Sequence, residues 1–184
     1  MRKVLFACAC IAFAATACND QQAETASSTP AASTAAADSK PAPAEFGDSK
    51  YADIGKQGLA NLASGNIDAW MSAFSDNAVY AWNNGDSLVG KEAIGAYWKK
   101  RRTEALDSIS FTNDIWLPVK VNQPQKTEAP GLWLLSWYEV NAKYKSGKSM
   151  KQWIHTLLHF NSEDKIDRVL QFRDNVPIAA AMAK

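Results

Sequence analysis

The chain has few of the residues that staple a fold or carry chemistry on their own. It holds three cysteines (Cys8, Cys10, Cys18) and two histidines (His155, His159) in 184 residues. No cysteine follows Cys18, so the rest of the chain forms no disulfide, binds no metal through sulfur and has no thiol nucleophile. The longest apolar run, Val4 to Ala17, is 14 residues, short of the roughly 20 a spanning helix needs. Charge of either sign is not in excess: 20 Lys and Arg stand against 19 Asp and Glu. That balance argues against electrostatic capture of nucleic acid. The one basic run, Lys99-Lys100-Arg101-Arg102, reads as a solvated helix end placed at the negative pole of the dipole. There is no Gly-x-Ser-x-Gly elbow, no phosphate-cradling glycine loop and no metal motif of recognised spacing, so no cofactor or metal is expected.

What is present first is an address. Arg2 and Lys3 precede the apolar stretch, and the small residues Ala15-Thr16-Ala17 lead into Cys18. This pattern resembles a bacterial lipoprotein signal, residues 1–17, cleaved before a cysteine that then carries lipid. The resemblance implies a lipidated Cys18, membrane attachment and a place in the bacterial cell envelope. Ordinary secretion with cleavage after Ala17 is the other reading. Gln22-Ala23-Glu24 is similar to a short acidic sorting signal and equally fits linker composition. Residues 18–45 are rich in Ala, Ser, Thr, Pro, Gln and Glu, with no aromatic residue. Such a segment buries too little to offset its ordering entropy and is expected to be a disordered tether.

Composition changes at Phe46: all seven tryptophans and all five tyrosines lie beyond it. Residues 46–184 have the size of one domain. Tyr51, Ile54, Leu59 and Leu62 recur at helical spacing before Gly65; Asn66 is placed to cap a second, short helix; Gly90 starts a third, with Ile94, Tyr97, Trp98 and Arg101 on one face. Val79–Trp82 and Ser87–Val89 read as short strands around Asn83-Asn84-Gly85-Asp86. Four longer strands follow, beginning near Ser108, Gly131, Ser149 and Ile166, with a hairpin at Ser146-Gly147 and a short helix after Pro177. The order predicts an α+β domain with helices on one side of a curved antiparallel sheet.

Three stretches carry a family resemblance: Gly65 to Val79, Gly90 to Trp98, and Lys165 to Val169 with Phe172 and Asp174. Together they resemble the NTF2-like superfamily, SnoaL-like branch. The resemblance implies a cone in which a bent sheet wraps three helices around a pocket. Members include ketosteroid isomerases, polyketide cyclases, epoxide hydrolases and non-catalytic binders, so the likeness supplies a pocket and leaves the reaction open.

If Ser146-Gly147 is a two-residue turn, Tyr138 pairs with His155; if Glu163-Asp164 is another, Phe172 also pairs with His155. One face then carries Tyr138, Val140, Trp153, His155, Leu157, His159, Ile166, Arg168, Leu170, Phe172 and Asp174, and is assigned to the concave side. The other carries Trp133, Leu135, Trp137, Ile154, Thr156, Leu158 and Phe160; its apolar character, and the superfamily's habit of pairing subunits there, imply a homodimer.

The candidate catalytic groups are His155 and Asp174 as bases, each with a structural alternative (a bonded histidine, a turn aspartate), and Tyr138 as donor. Trp82, Trp98, Trp153 and His159 are candidate ligand contacts, the tryptophans alternatively plain core. The favoured function is binding of a small apolar ligand, or a partner, in the cone without chemistry. The alternative is isomerase- or cyclase-like acid-base catalysis.

Overall fold

The structure is a computed structural model, and it describes residues 40–125 and 129–183. The expected signal peptide, Cys18 and most of the expected tether lie outside the described residues. In chain order the elements are β1 (Ala44–Phe46), α1 (Lys50–Ser64), α2 (Ile67–Met71), β2 (Phe74–Trp82), β3 (Ser87–Val89), α3 (Lys91–Lys100), β4 (Leu106–Val121), β5 (Gly131–Tyr144), β6 (Ser149–Phe160), β7 (Ile166–Phe172) and α4 (Asn175–Met182). A π-helical turn, Arg101–Ala105, joins α3 to β4. β1 begins at Ala44 and pairs with β4, so Ala44 and Glu45, expected in the tether, belong to the sheet.

The seven strands form one sheet in the order β1-β4-β5-β6-β7-β2-β3. It is a mixed sheet, because β2 runs parallel to β7; every other pair is antiparallel. Four helices accompany it, the three expected within the cone and the short C-terminal helix expected near Pro177. The domain is α+β, a curved and unclosed sheet holding α1, α2 and α3 on its inner side.

Local sequence accounts for the helix limits. Gly65 closes α1 in the left-handed conformation (φ 82°), and its N–H reaches back to Leu62. The Asn66 side chain accepts from Ala69 N–H at 3.2 Å and opens α2. Gly55 sits mid-helix where α1 crosses the sheet. A Cβ there would stand 2.4 Å from Trp116 Cζ3 and 2.7 Å from Leu134 Cδ2, so only glycine permits that approach.

The core is in two parts. Tyr51, Leu62, Trp70, Phe74, Ile94 and Trp98 join the helices to β2, β5, β6 and β7. Tyr138, Val140, Ala142, Tyr144, Met150 and Ile154 form a second cluster, onto which α4 packs Ile178 and Ala181. Burying each large apolar side chain contributes about 1.5–3 kcal/mol.

The register corrects the expected faces. The β5–β6 turn has three residues: Tyr144 N–H bonds Lys148 O at 2.9 Å, and Gly147 takes φ 85°. Tyr138 therefore stands opposite Ile154, and His155 opposite Trp137. That one-residue difference moves the whole inner set of β6. Ile154, Thr156, Leu158 and Phe160 face the helices with Tyr138 and Val140. Trp153, His155, Leu157 and His159 share the outer face with Trp133, Leu135 and Trp137. At the next turn two departures cancel. The loop again has three residues, with Asp164 left-handed (φ 57°), but a bulge after Ile166 restores His155 opposite Phe172. Ile166 is consequently core while Arg168, Leu170 and Phe172 lie outside.

Candidate functional site

Between the two core clusters the sheet and helices leave a chamber of about 610 Å³, within the range of small-molecule sites. Its wall is mainly apolar: Trp70 and Leu62 from the helices, Phe111 and Trp116 from β4, Val140 and Ile154 from β5 and β6. Ile178 of α4 adds to one side.

The polar groups in this wall are few and connected. Trp82 Nε1 donates to Gln171 Oε1 at 3.1 Å. An indole N–H only donates, so this bond fixes the Gln171 amide with its nitrogen toward Thr156 Oγ1, 3.4 Å away. Thr156 Oγ1 lies 2.7 Å from the Tyr138 hydroxyl. Either hydroxyl can donate across this contact, because Thr156 Oγ1 has lone pairs for both Gln171 and Tyr138. Ser136 beside them is satisfied by Thr156 O at 2.8 Å.

Tyr80 is the second phenol. It is 2 % exposed and lines the chamber, yet its hydroxyl has no hydrogen-bond partner among the described residues. Burial pushes its pKa well above the ordinary phenol value, with Tyr138 adding to the rise and Arg173 and Arg101 opposing it. Burial also raises Tyr138, against the hydrogen bonds from Thr156 and Gln171. Both phenols are neutral O–H donors at neutral pH. Trp98, also in the wall, has a buried indole N–H with no partner among the described residues; its ring meets Trp70 edge-on at 5.5 Å.

Arg101 and Arg173 complete the site. Arg101 begins the π-helical turn, a local unwinding frequent at functional positions. Arg101 Nη2 donates to Tyr144 Oη at 2.9 Å. Arg173 Nε donates to Asn175 Oδ1 at 3.1 Å, and its guanidinium lies 4.9 Å from the Trp82 ring centre.

Of the residues predicted from sequence, Tyr138 and Trp98 line the chamber, and Trp82 supports it from behind through Gln171. His155 does not reach it. It is sandwiched on the outer face between Trp137 (centroids 4.4 Å apart) and Phe172 (5.7 Å), and its Nδ1 bonds Ser136 O at 2.9 Å. His159 is also outside: Nδ1 is 2.6 Å from Asp167 Oδ1 and Nε2 is 3.0 Å from Pro130 O. Trp153 is 52 % exposed on the same face. Asp174 caps α4, accepting from Val176 N–H at 2.8 Å. The structure thus brings Tyr138 together with Trp98 and separates it from His155 and Asp174. Among the described residues no three His, Cys, Asp or Glu side chains group as a metal site.

Tyr80, Thr156, Gln171, Arg101 and Arg173 were not singled out from sequence. Two carried a signal. Arg101 shares the helical face of Ile94, Tyr97 and Trp98, and a cation on an apolar face is informative. Gln171 is a polar residue in β7 on the side of the buried Val169 and Ile166. The basic run is not one solvated end: Lys99 pairs with Asp68 at 2.6 Å in solvent, while Arg101 and Arg102 turn inward.

No protein-family model and no curated protein matches the sequence. Solved structures do match the fold. A candidate polyketide cyclase from Pseudomonas putida is 14 % identical, covering 71 % of this chain and 96 % of its own, with a TM-score of 0.57. An NTF2-like protein of unknown function from Exiguobacterium is 18 % identical over 67 % of this chain and 99 % of its own (TM-score 0.54). The fold is NTF2-like. A third match, an LEH-like epoxide hydrolase from M. tuberculosis, is 12 % identical over 71 % and 86 % (TM-score 0.51). At these identities the likeness concerns architecture, and function has to be read from the NTF2-like cone's own side chains.

Proposed function

We propose that this protein is a lipid-anchored binding protein of the bacterial cell envelope that holds one small, mainly apolar ligand in its NTF2-like cone without transforming it. One observation carries the reading: the apolar chamber presents hydrogen-bond donors, and the histidines and Asp174 that could act as bases are held elsewhere by other partners. A wall of aromatic and aliphatic groups with a few placed donors is what retention of a ring or chain bearing an oxygen needs. Cys18 and its signal-like flank support the anchor.

The test is binding of a neutral apolar fluorophore, 1-aminoanthracene, to the full chain. One saturable site per chain supports the reading, and no saturable binding contradicts it. For the anchor, Cys18→Ser should move the protein from the membrane fraction to the soluble one.

The second reading, acid-base catalysis, is favoured by the polyketide cyclase and epoxide hydrolase among the similar folds. Turnover of a small carbonyl or epoxide substrate, lost in Tyr138→Phe, would support it.

The same proposal includes a homodimer through the outer face. The Trp137–His155–Phe172 stack crosses three strands beside Trp153, with Phe172 47 % and Trp153 52 % exposed. Such an aromatic row gains by being covered by a second copy. Sedimentation should give a dimer, and Trp153→Glu a monomer.

A further inference from the structure

The chamber's charged lining has one sign inside. Asp53 is the single acid in the wall among the described residues, and it stands on the solvent side of α1, exposed. Arg101 and Arg173 are partly buried. Neither makes an ion pair with a carboxylate among the described residues, although most lysines of this domain that pair do so with Asp or Glu. Their contacts are neutral. Arg101 meets Tyr144 Oη at 2.9 Å and Met182 Sδ at 3.9 Å; Arg173 meets Asn175 Oδ1 at 3.1 Å and the face of Trp82. These contacts orient each guanidinium and use a minority of its five donors.

The two arginines arrive from different elements, one from the turn after α3 and one from the end of β7. They bracket α4: Arg173 touches its first residue, Asn175, and Arg101 its last, Met182. Ile178, midway along α4, lines the chamber between them. Tyr80 lines the same chamber, and its hydroxyl has no hydrogen-bond partner among the described residues. Each guanidinium keeps N–H donors for an incoming anion. Two guanidiniums beside an unsatisfied phenol and an apolar hollow describe a receptor for an acid with a hydrophobic body.

We infer that the ligand is a singly charged anionic amphiphile whose apolar body fills the chamber and whose acidic head is received by a guanidinium of its lining, Arg101 at one end of α4 or Arg173 at the other. The inference rests on the chamber being a ligand site and adds the chemistry of the ligand. Guanidinium forks suit a carboxylate, which accepts two parallel N–H bonds.

Three probes of equal chain length separate the two claims: dodecanoate, dodecan-1-ol and dodecyltrimethylammonium, each titrated below its aggregation range into the full chain and followed by tryptophan fluorescence. Dodecanoate should bind at least about tenfold more tightly than the alcohol, and the cation more weakly than either. The double substitution Arg101→Gln/Arg173→Gln should remove the preference for the acid, bringing dodecanoate to the affinity of dodecan-1-ol, with an unchanged circular-dichroism spectrum showing the fold intact. An alcohol that binds as tightly as the acid overturns the head-group assignment while the chamber stands as a binding site. Equal loss of both probes in the double variant overturns it as well. Failure of all three probes to bind removes the chamber reading and this inference together.

Discussion

Trp82 and Gln171 are joined across neighbouring strands, indole N–H to amide oxygen at 3.1 Å, and this contact orients the Gln171 amide so that its nitrogen donates to Thr156 Oγ1. Trp82→Phe leaves the ring volume largely filled and the amide oxygen bare. The expected loss is about 1–3 kcal/mol, the cost of an unsatisfied buried acceptor, read by urea denaturation. A change under about 0.5 kcal/mol would mean the amide reorients freely.

Tyr80→Phe should behave in the opposite way. The hydroxyl bonds nothing among the described residues, so stability should change by less than about 0.5 kcal/mol. Affinity for an oxygen-bearing ligand should fall severalfold. A large loss of stability would show that the hydroxyl has a partner within the fold.

His155→Ala should leave chamber binding unchanged, because the imidazole lies on the outer face against Trp137 and Phe172. Tyr138→Phe should alter it. The reverse pattern in a fluorophore titration would place the ligand on the outer face.

The glycine at position 55 gives a packing test. Gly55→Ala puts a methyl group into Trp116 and Leu134. Helix propensity would favour alanine by up to about 1 kcal/mol, so a net destabilisation of about 1–3 kcal/mol would confirm close approach of α1 to the sheet. A stabilised variant would show that α1 stands further away.

Asp164 ties the β6–β7 turn to α1 through Lys50 Nζ at 2.7 Å and the Tyr51 hydroxyl. The Lys50 bond, then the Tyr51 bond, holds its carboxyl below the usual value. A lowered folded pKa gives stability that is complete above the unfolded value, about pH 4, and is lost as pH falls through the folded one. Asn tolerates the left-handed backbone at this position, so Asp164→Asn removes the charge alone. The melting-temperature gap to the unsubstituted protein should be present at pH 6 and shrink as the pH falls below the unfolded value of about 4. A gap independent of pH would remove the carboxylate from the explanation.

The sequence disclosed elements better than faces. Apolar spacing and the Gly65, Asn66 and Gly90 signals place all three inner helices, and the long strands follow from alternation. The fourth helix showed itself through Pro177, though its Asp174 cap also had a catalytic reading. Faces depend on a count of one residue in each turn. Ser146-Gly147 suits a two-residue hairpin, but Gly147 instead takes the left-handed place that closes a three-residue loop. Composition does not distinguish these, and the difference carried His155 and Trp153 to the far side. The site was legible only where a residue contradicted its surroundings, as Arg101 and Gln171 do. Tyr80 looked like any strand tyrosine, because only the assembled core reveals a hydroxyl without a partner.

If the hollow itself holds the ligand, filling it must weaken binding. Ala142 lines it and is buried in the second core cluster, so Ala142→Phe fills part of the space while leaving the outer face untouched. In a titration with 1-aminoanthracene, the unsubstituted chain should bind one equivalent and Ala142→Phe, with its circular dichroism unchanged, should bind at least about tenfold more weakly. Equal affinity in the two proteins would contradict the claim.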